Sequence, residues 1–158
     1  MAILNMPYDT EDSMTSAVAA KLGGRRILRR EVGTEIELAE VVRAGLPAKA
    51  LDHLLAEFSK FVSRQTEVFR VVGSARTLQR KRSRGTRLSA EESDRLARLA
   101  RMLVRAESAL GLPERAGPWL VTPNRALGGR SPLSLLDSDA GTLAVDQVLG
   151  RIEHGVYS

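Results

Sequence analysis

No cysteine occurs in this chain. That excludes disulfides and thiolate zinc sites, and it suits a reducing compartment. Aromatic residues make up only 4%, with a single Trp. A core must therefore be built from Leu, Val and Ala, a composition that leans towards helix. No run of 18 apolar residues is present, so no segment has the length of a membrane-spanning helix. The first thirty residues, MAILNMPYDTEDSMTSAVAAKLGGRRILRR, lack the apolar stretch of a signal peptide. The expectation is a soluble cytoplasmic protein with no membrane contact. His53 and His154 are far apart and lack metal-ligand spacing, and no G-x-S-x-G, G-x-G-x-x-G or P-loop pattern occurs. Neither catalysis nor a bound cofactor or metal is expected.

What is present is arginine, unevenly spread. The 158 residues carry a net charge of +5 and are 43% hydrophobic, enough for one or two small domains with a real core. From Arg70 to Arg87 basic residues stand with no acid among them, whereas from Ser131 to Ser158 Asp137, Asp139, Asp146 and Glu153 face Arg151 alone. A basic middle and an acidic end suggest two faces for two kinds of partner.

The periodicity predicts an all-α chain. Residues 1–14 are polar and aperiodic and read as a flexible arm, followed by a short helix from Thr15 to Leu22 that stops at Gly23-Gly24. Arg25, Arg26, Arg29 and Arg30 follow, either as solvated surface or as supporting phosphate contacts. Thr34 caps a helix over 35–44 whose apolar face would be Ile36, Ala39 and Val42, with Leu38 beside it. Pro47 is placed as the first residue of the next helix, which carries Leu51, Leu54, Leu55 and Phe58 at helical spacing. His53 on that helix reads as a surface or half-buried histidine.

A helix over about 64–72, a sharp turn at Gly73 and a second helix capped by Ser74 and running to about Arg82 make a helix-turn-helix. In that arrangement the second helix enters the major groove, and Arg and Gln can make paired hydrogen bonds to base edges. Ser74, Arg76, Thr77, Gln79 and Arg80 are the candidates for base edges or nearby phosphates, and Arg82, Arg84 and Arg87 for the backbone. Leu78 would anchor the helix. A basic helix is also compatible with a plain solvated surface. Ser89-x-x-Glu92 is a capping box, and Leu96, Leu99, Leu103, Ala106 and Leu110 then recur at 3-4 spacing until Gly111. This stripe suits a bundle core or, alternatively, a coiled coil.

Beyond Leu112 the elements shorten. A helix over 113–121 holds Trp119, and Thr122 could cap a turn starting at Pro123. The pair Gly128-Gly129 stands before Arg130 either as a corner or as a phosphate cradle. The flanks favour the corner: a helix ends before the pair, and Ser131-Pro132 starts a new turn after it. Asp139 is placed as the cap of a last helix reaching about Glu153.

The stretch RTLQRKRSRGTRLSAEESDRLARLARML resembles the hinge region of the Xre/MbcA/ParS antitoxins. The stretch AGPWLVTPNRALGGRSPLSLLDSDAGTLAVDQVLGRIEHGVYS is similar to that family's C-terminal toxin-binding domain almost throughout. The resemblance covers roughly residues 34–158. It implies an Xre-like helix-turn-helix domain over 34–95 and a toxin-binding domain over 96–158, joined by a long helix, and leaves 1–33 as the N-terminal arm and short helix read above. It further implies a type II antitoxin whose partner is a RES-domain toxin that depletes NAD⁺. The C-terminal domain would cover the toxin cleft while the helix-turn-helix binds the promoter of its own operon as an autorepressor. A homodimer within the toxin–antitoxin complex is expected, because one short helix reads few bases.

On this reading Arg125, Arg130, Asp139, Arg151, His154, Tyr157 and Ser158 are the toxin-binding candidates. Each also has a plain structural role open to it: Asp139 as an N-cap, His154 as a C-terminal cap, Tyr157 packed back on the helix end. An acidic face would complement the basic pocket expected of an NAD⁺-binding toxin. A stand-alone helix-turn-helix regulator with no toxin partner would share the DNA-binding half, and only the terminal segment separates the two.

Overall fold

The computed structural model describes residues 10–60 and 65–155. They form α1 (Thr10–Lys21), α2 (Gly24–Leu28), α3 (Glu35–Ala44), α4 (Ala48–Ser59), α5 (Gln65–Val72), α6 (Ala75–Arg84), α7 (Ala90–Leu110), α8 (Pro113–Val121) and α9 (Asp139–Glu153). Two short 3-10 turns, Arg125–Leu127 and Leu133–Leu135, lie between α8 and α9. Among the described residues there is no strand, only isolated antiparallel bridges at Pro47–Arg87 and Asn124–Arg130. No helix there is long and apolar enough to cross a membrane.

The longest helix, α7, is specified locally at both ends. Ser89 Oγ accepts from Glu92 N at 3.0 Å while Glu92 Oε2 accepts from Ser89 N at 2.8 Å, so two orphan amides are satisfied reciprocally. Gly111, at φ 71, closes the other end, where a Cβ would be strained. Between them Leu96, Leu99, Leu103 and Ala106 are buried as the stripe predicts, with Leu110 half-buried, but so are Ala97, Ala100, Met102 and Val104. The helix is covered on more than one side because α1, α3, α5, α8 and α9 all pack on it. Its stripe is filled by the chain's own helices, which makes α7 the centre of a bundle. Each buried Leu removed from water contributes about 2 kcal/mol.

Several local expectations shift. Residues 10–14, expected as part of a flexible arm, belong to α1, which begins at Thr10; the rest of the expected arm lies outside the described residues. Met14, half-buried against the core, lies in that extension, and the expected part of the helix is held by Thr15, which is buried and donates to Glu35, and by Val18, Ala19 and Leu22 in the core. On α3 the buried pair is Leu38 and Val41, Val42 is half-buried, and Ile36 is 74% exposed. Spacing alone permitted either face, and the position of α7 decides between them. Pro47 caps α4 from outside rather than opening it. Thr122 ends α8 instead of starting the next turn, because its hydroxyl donates back to the Pro118 carbonyl at 2.7 Å. Ser138, not Asp139, caps α9, accepting from Gly141 N at 3.0 Å, and Asp139 is the first helical residue.

The start of α9 is pressed against the second 3-10 turn. A Cβ built on Gly141 would stand 2.0 Å from the Leu135 carbonyl oxygen, so only glycine allows this approach. On α2 the C-cap is Arg29, the only described non-glycine residue with positive φ, at 65°. Glycine would sit there without the cost of about 1 kcal/mol that a side chain brings in this region.

Candidate functional site

The helix-turn-helix expected from the sequence is α5–Gly73–α6. Val68, Val71 and Val72 of α5 are buried, whereas Leu78 is the single buried residue of α6. Ser74 caps α6, its hydroxyl accepting from Thr77 N, and Gly85, in the left-handed region, ends it at Arg84.

With one apolar anchor, α6 is oriented largely by two charged contacts. Lys81 Nζ donates to Glu92 Oε2 at 2.6 Å and thereby joins the α7 capping box. Arg82 Nε donates to Asp52 Oδ1 of α4, and its guanidinium lies 5.4 Å from the Phe69 ring centroid of α5. Burial pushes the Glu92 carboxyl up, but hydrogen bonds from Lys81 and Ser89 outweigh it and hold the group below the ordinary glutamate range. Glu92 therefore stays ionised and keeps the clamp on Lys81.

The remaining polar side chains of α6 divide accordingly. Arg76, Gln79, Arg80 and Arg84 are exposed, and Thr77 is half-buried. Gln79 accepts from Arg82 at 3.0 Å on the same helix. Arg76, Arg80 and Arg84 form no ion pair among the described residues. Arg87, after the helix, donates to the Gly45 carbonyl at 2.7 Å. Such a helix can neutralise phosphates and reach base edges from one exposed face, while Arg82 holds it in place. Asp52 and Glu92 were not identified from sequence as partners of this helix. Glu92 was legible as a capping residue, but its link to Lys81 depends on the fold.

The terminal segment is organised by its glycine corner. Gly128 and Gly129 have φ of 67° and 79°. Asn124 Oδ1 accepts from Ala126 N, and the Asn124 carbonyl from Gly129 N, both at 2.9 Å. The pair is a corner, as its flanks indicated. Arg125 and Arg130 lie exposed on either side of it. Arg151 is exposed on the last turn of α9, and His154 is exposed as its C-cap. Tyr157 and Ser158 lie outside the described residues.

Most of the acids at the end of the sequence are paired within the fold. Asp139, though 93% exposed, pairs with Arg98 at 2.7 Å, and Asp146 and Glu153 pair with Arg105 at 3.1 and 2.8 Å. These are bonds between α9 and α7, so three of the four acids are partly neutralised within the fold, while Asp137 is exposed with no ion pair among the described residues. His53 is half-buried, with Nδ1 3.0 Å from the Lys21 carbonyl. No cluster of the described residues is placed to hold a metal.

A helix-turn-helix followed, along one long helix, by a small helical unit is the fold class the sequence led to. Residues 37–101 match the model of the antitoxin Xre-like helix-turn-helix domain, and residues 105–155 that of the antitoxin Xre/MbcA/ParS C-terminal toxin-binding domain. Antitoxin Xre of Yersinia enterocolitica is 36% identical over 141 residues, covering 84% of this chain and 92% of that protein. Antitoxin Xre of Photorhabdus laumondii is 33% identical over 123 residues, 77% and 81% of the two chains. A Sphingobium protein named Prs ADP-ribosylating antitoxin is 31% identical over 91 residues, 52% of this chain and 57% of its own length. The chain belongs to the Xre/MbcA/ParS family of type II antitoxins.

Proposed function

We propose that this chain neutralises a RES-domain toxin that consumes NAD⁺ and represses its own operon through α5–α6, acting as a homodimer within the toxin complex. The reading rests chiefly on the match of residues 105–155 to a toxin-binding domain. The Sphingobium relative's name gives the second support, since ADP-ribosylation takes its ADP-ribose from NAD⁺. A toxin of that chemistry has a dinucleotide cleft that a covering protein can close.

On the toxin side, the residues assigned are Arg125 and Arg130 around the glycine corner, Arg151 and His154 at the end of α9, and Tyr157 and Ser158 beyond it. Asp139 is assigned to the fold through Arg98 instead. Unpaired cations at these positions suit a toxin surface that holds carboxylates. The last residues enter the NAD⁺ cleft, where an aromatic ring can stack as a nucleobase does. On the DNA side, Arg76, Thr77, Gln79 and Arg80 read bases or adjacent phosphates, and Arg84 touches the backbone. Ser74 caps the helix and Arg82 positions it.

The decisive experiment is coexpression with the product of the neighbouring gene, followed by copurification and an NAD⁺-consumption assay with and without this chain. Copurification with suppressed NAD⁺ loss is expected. A partner that leaves NAD⁺ intact by itself would overturn the toxin assignment. Deleting Gly155–Ser158 should weaken neutralisation with the helical fold kept, and full protection by the truncated chain would refute the role of the tail.

A further inference from the structure

Four cations from three separate elements converge on one groove of about 550 Å³: Arg26 and Arg29 of α2 and its cap, Lys49 of α4, and Arg87 of the loop after α6. No carboxylate lines it. The arginine run before α3 is divided by the fold. Arg25 pairs with Glu31 at 3.5 Å and Arg30 with Glu40 at 3.1 Å, whereas Arg26 and Arg29 line the groove with no ion pair among the described residues. Arg29 is also the residue held in the left-handed region, where glycine would be unstrained, so a cation is kept there against local preference. Arg87 is fixed rather than sequestered, because one of its nitrogens donates to the Gly45 carbonyl and the others are left free.

The groove adjoins the end of α6. Gly85, the C-cap of that helix, forms part of its wall, and a Cβ there would meet nothing within 4 Å. Arg84, exposed and unpaired, stands next to it in the chain. The groove's charged lining is wholly cationic and lies beyond the C-terminal end of α6, whereas a recognition helix meets base edges with its N-terminal residues. Arg26 and Arg29 precede residue 37, where the helix-turn-helix match begins. They therefore belong to what this chain adds to that module.

We propose that this groove grips the sugar–phosphate backbone of duplex DNA beside the bases read by α6, as a sequence-independent clamp. The proposal rests on the DNA-binding reading above. Charges that contact phosphate should strengthen binding to every sequence alike and make it salt-dependent.

The test compares the full chain with R26Q/R29Q/K49Q, on a duplex from upstream of its own gene and on an unrelated duplex, between about 50 and 200 mM salt. The variant should bind both duplexes roughly tenfold more weakly, with the slope of log K against log salt shallower by about 0.9 for each lost contact. Thermal stability and toxin neutralisation should be unchanged, and the charge-preserving R26K/R29K/K49R should bind as the parent does. By contrast, R76Q/R80Q should lose the preference for the upstream duplex. If the parent prefers that duplex and the triple glutamine variant matches its affinity and slope, the clamp is refuted while the DNA reading stands. A charge-preserving variant as weak as the glutamine one would also refute it. If the parent retains neither duplex at low salt, both readings fall.

Discussion

The helices α6 and α7 follow one another and are both rich in arginine, yet their arginines have opposite fates. On α7 Arg95 pairs with Glu91, Arg98 with Asp94 and Asp139, Arg101 with Glu35, and Arg105 with Asp146 and Glu153. On α6 Arg76, Arg80 and Arg84 have no ion pair among the described residues, and only Lys81 and Arg82 are tied to neighbours. Burial differs in the same sense: Leu78 alone anchors α6, whereas α7 is buried along its length. An arginine count cannot separate the two helices. What singles out α6 as the proposed interface is charge that the fold leaves unanswered.

The largest effect should come from the anchors. Leu78→Ala removes the one buried side chain of α6 and should cost about 3 kcal/mol. DNA binding should fall sharply in a gel shift while the toxin still copurifies. Leu99→Ala, similarly buried but on α7, should cost about as much in a thermal melt and weaken both activities. Equal loss of both activities in the two variants would erase the contrast between a docked helix and a central one.

Breaking the α7–α9 clamp should matter less. Arg105 is only 18% exposed and holds two acids, so Arg105→Met should lower stability by about 1–2 kcal/mol, a gap that narrows at high salt. DNA affinity should be unaffected.

Acid should next act on the paired carboxylates. Glu35 is held low chiefly by the Arg101 hydrogen bond, Glu57 by that of Lys60, and Glu92 by Lys81 and Ser89 against burial. A carboxyl depressed on folding adds stability that is complete above its unfolded pKa, about 4.3, and is lost as pH falls through the folded value. The melting temperature should therefore be level from pH 7 to about 5 and drop below about 4. Glu92→Gln, which preserves the capping box, should soften that drop. An unchanged acid limb in this variant would remove Glu92 from the account. Smallest of all, Arg84→Gln should leave the melt unchanged and weaken DNA binding severalfold, whereas Arg95→Gln should leave DNA binding intact.

What could be read from the sequence was what the chain specifies within a few residues of itself. The capping box at Ser89 and Glu92, the Ser74 cap, the Gly128-Gly129 corner and the leucine stripe of α7 are local, and their hydrogen bonds join near neighbours. What was missed depends on partners far along the chain. Ile36 and Leu38 are equally plausible inner residues by spacing, and only the approach of α7 selects Leu38. The four terminal acids looked like a surface because Arg98 and Arg105, which answer three of them, come some forty residues earlier. Among the site residues, the exposed arginines of α6 were legible from their pattern, but the division of labour between Arg82 and Arg84 required knowing where Asp52 lies.

The helix α7 also acts as a common strut. Its 21 residues, without proline and capped at both ends, span about 30 Å and give the helix-turn-helix and the terminal unit one rigid support. The terminal unit packs along it and, through the second 3-10 turn, also against α5 of the helix-turn-helix. On the proposed function, a toxin bound by that unit is held at a set distance and a set rotational angle from α6. For the proposed dimer, whether two toxin-loaded copies can stand side by side on neighbouring half-sites is then a matter of clearance, fixed by the number of base pairs between them.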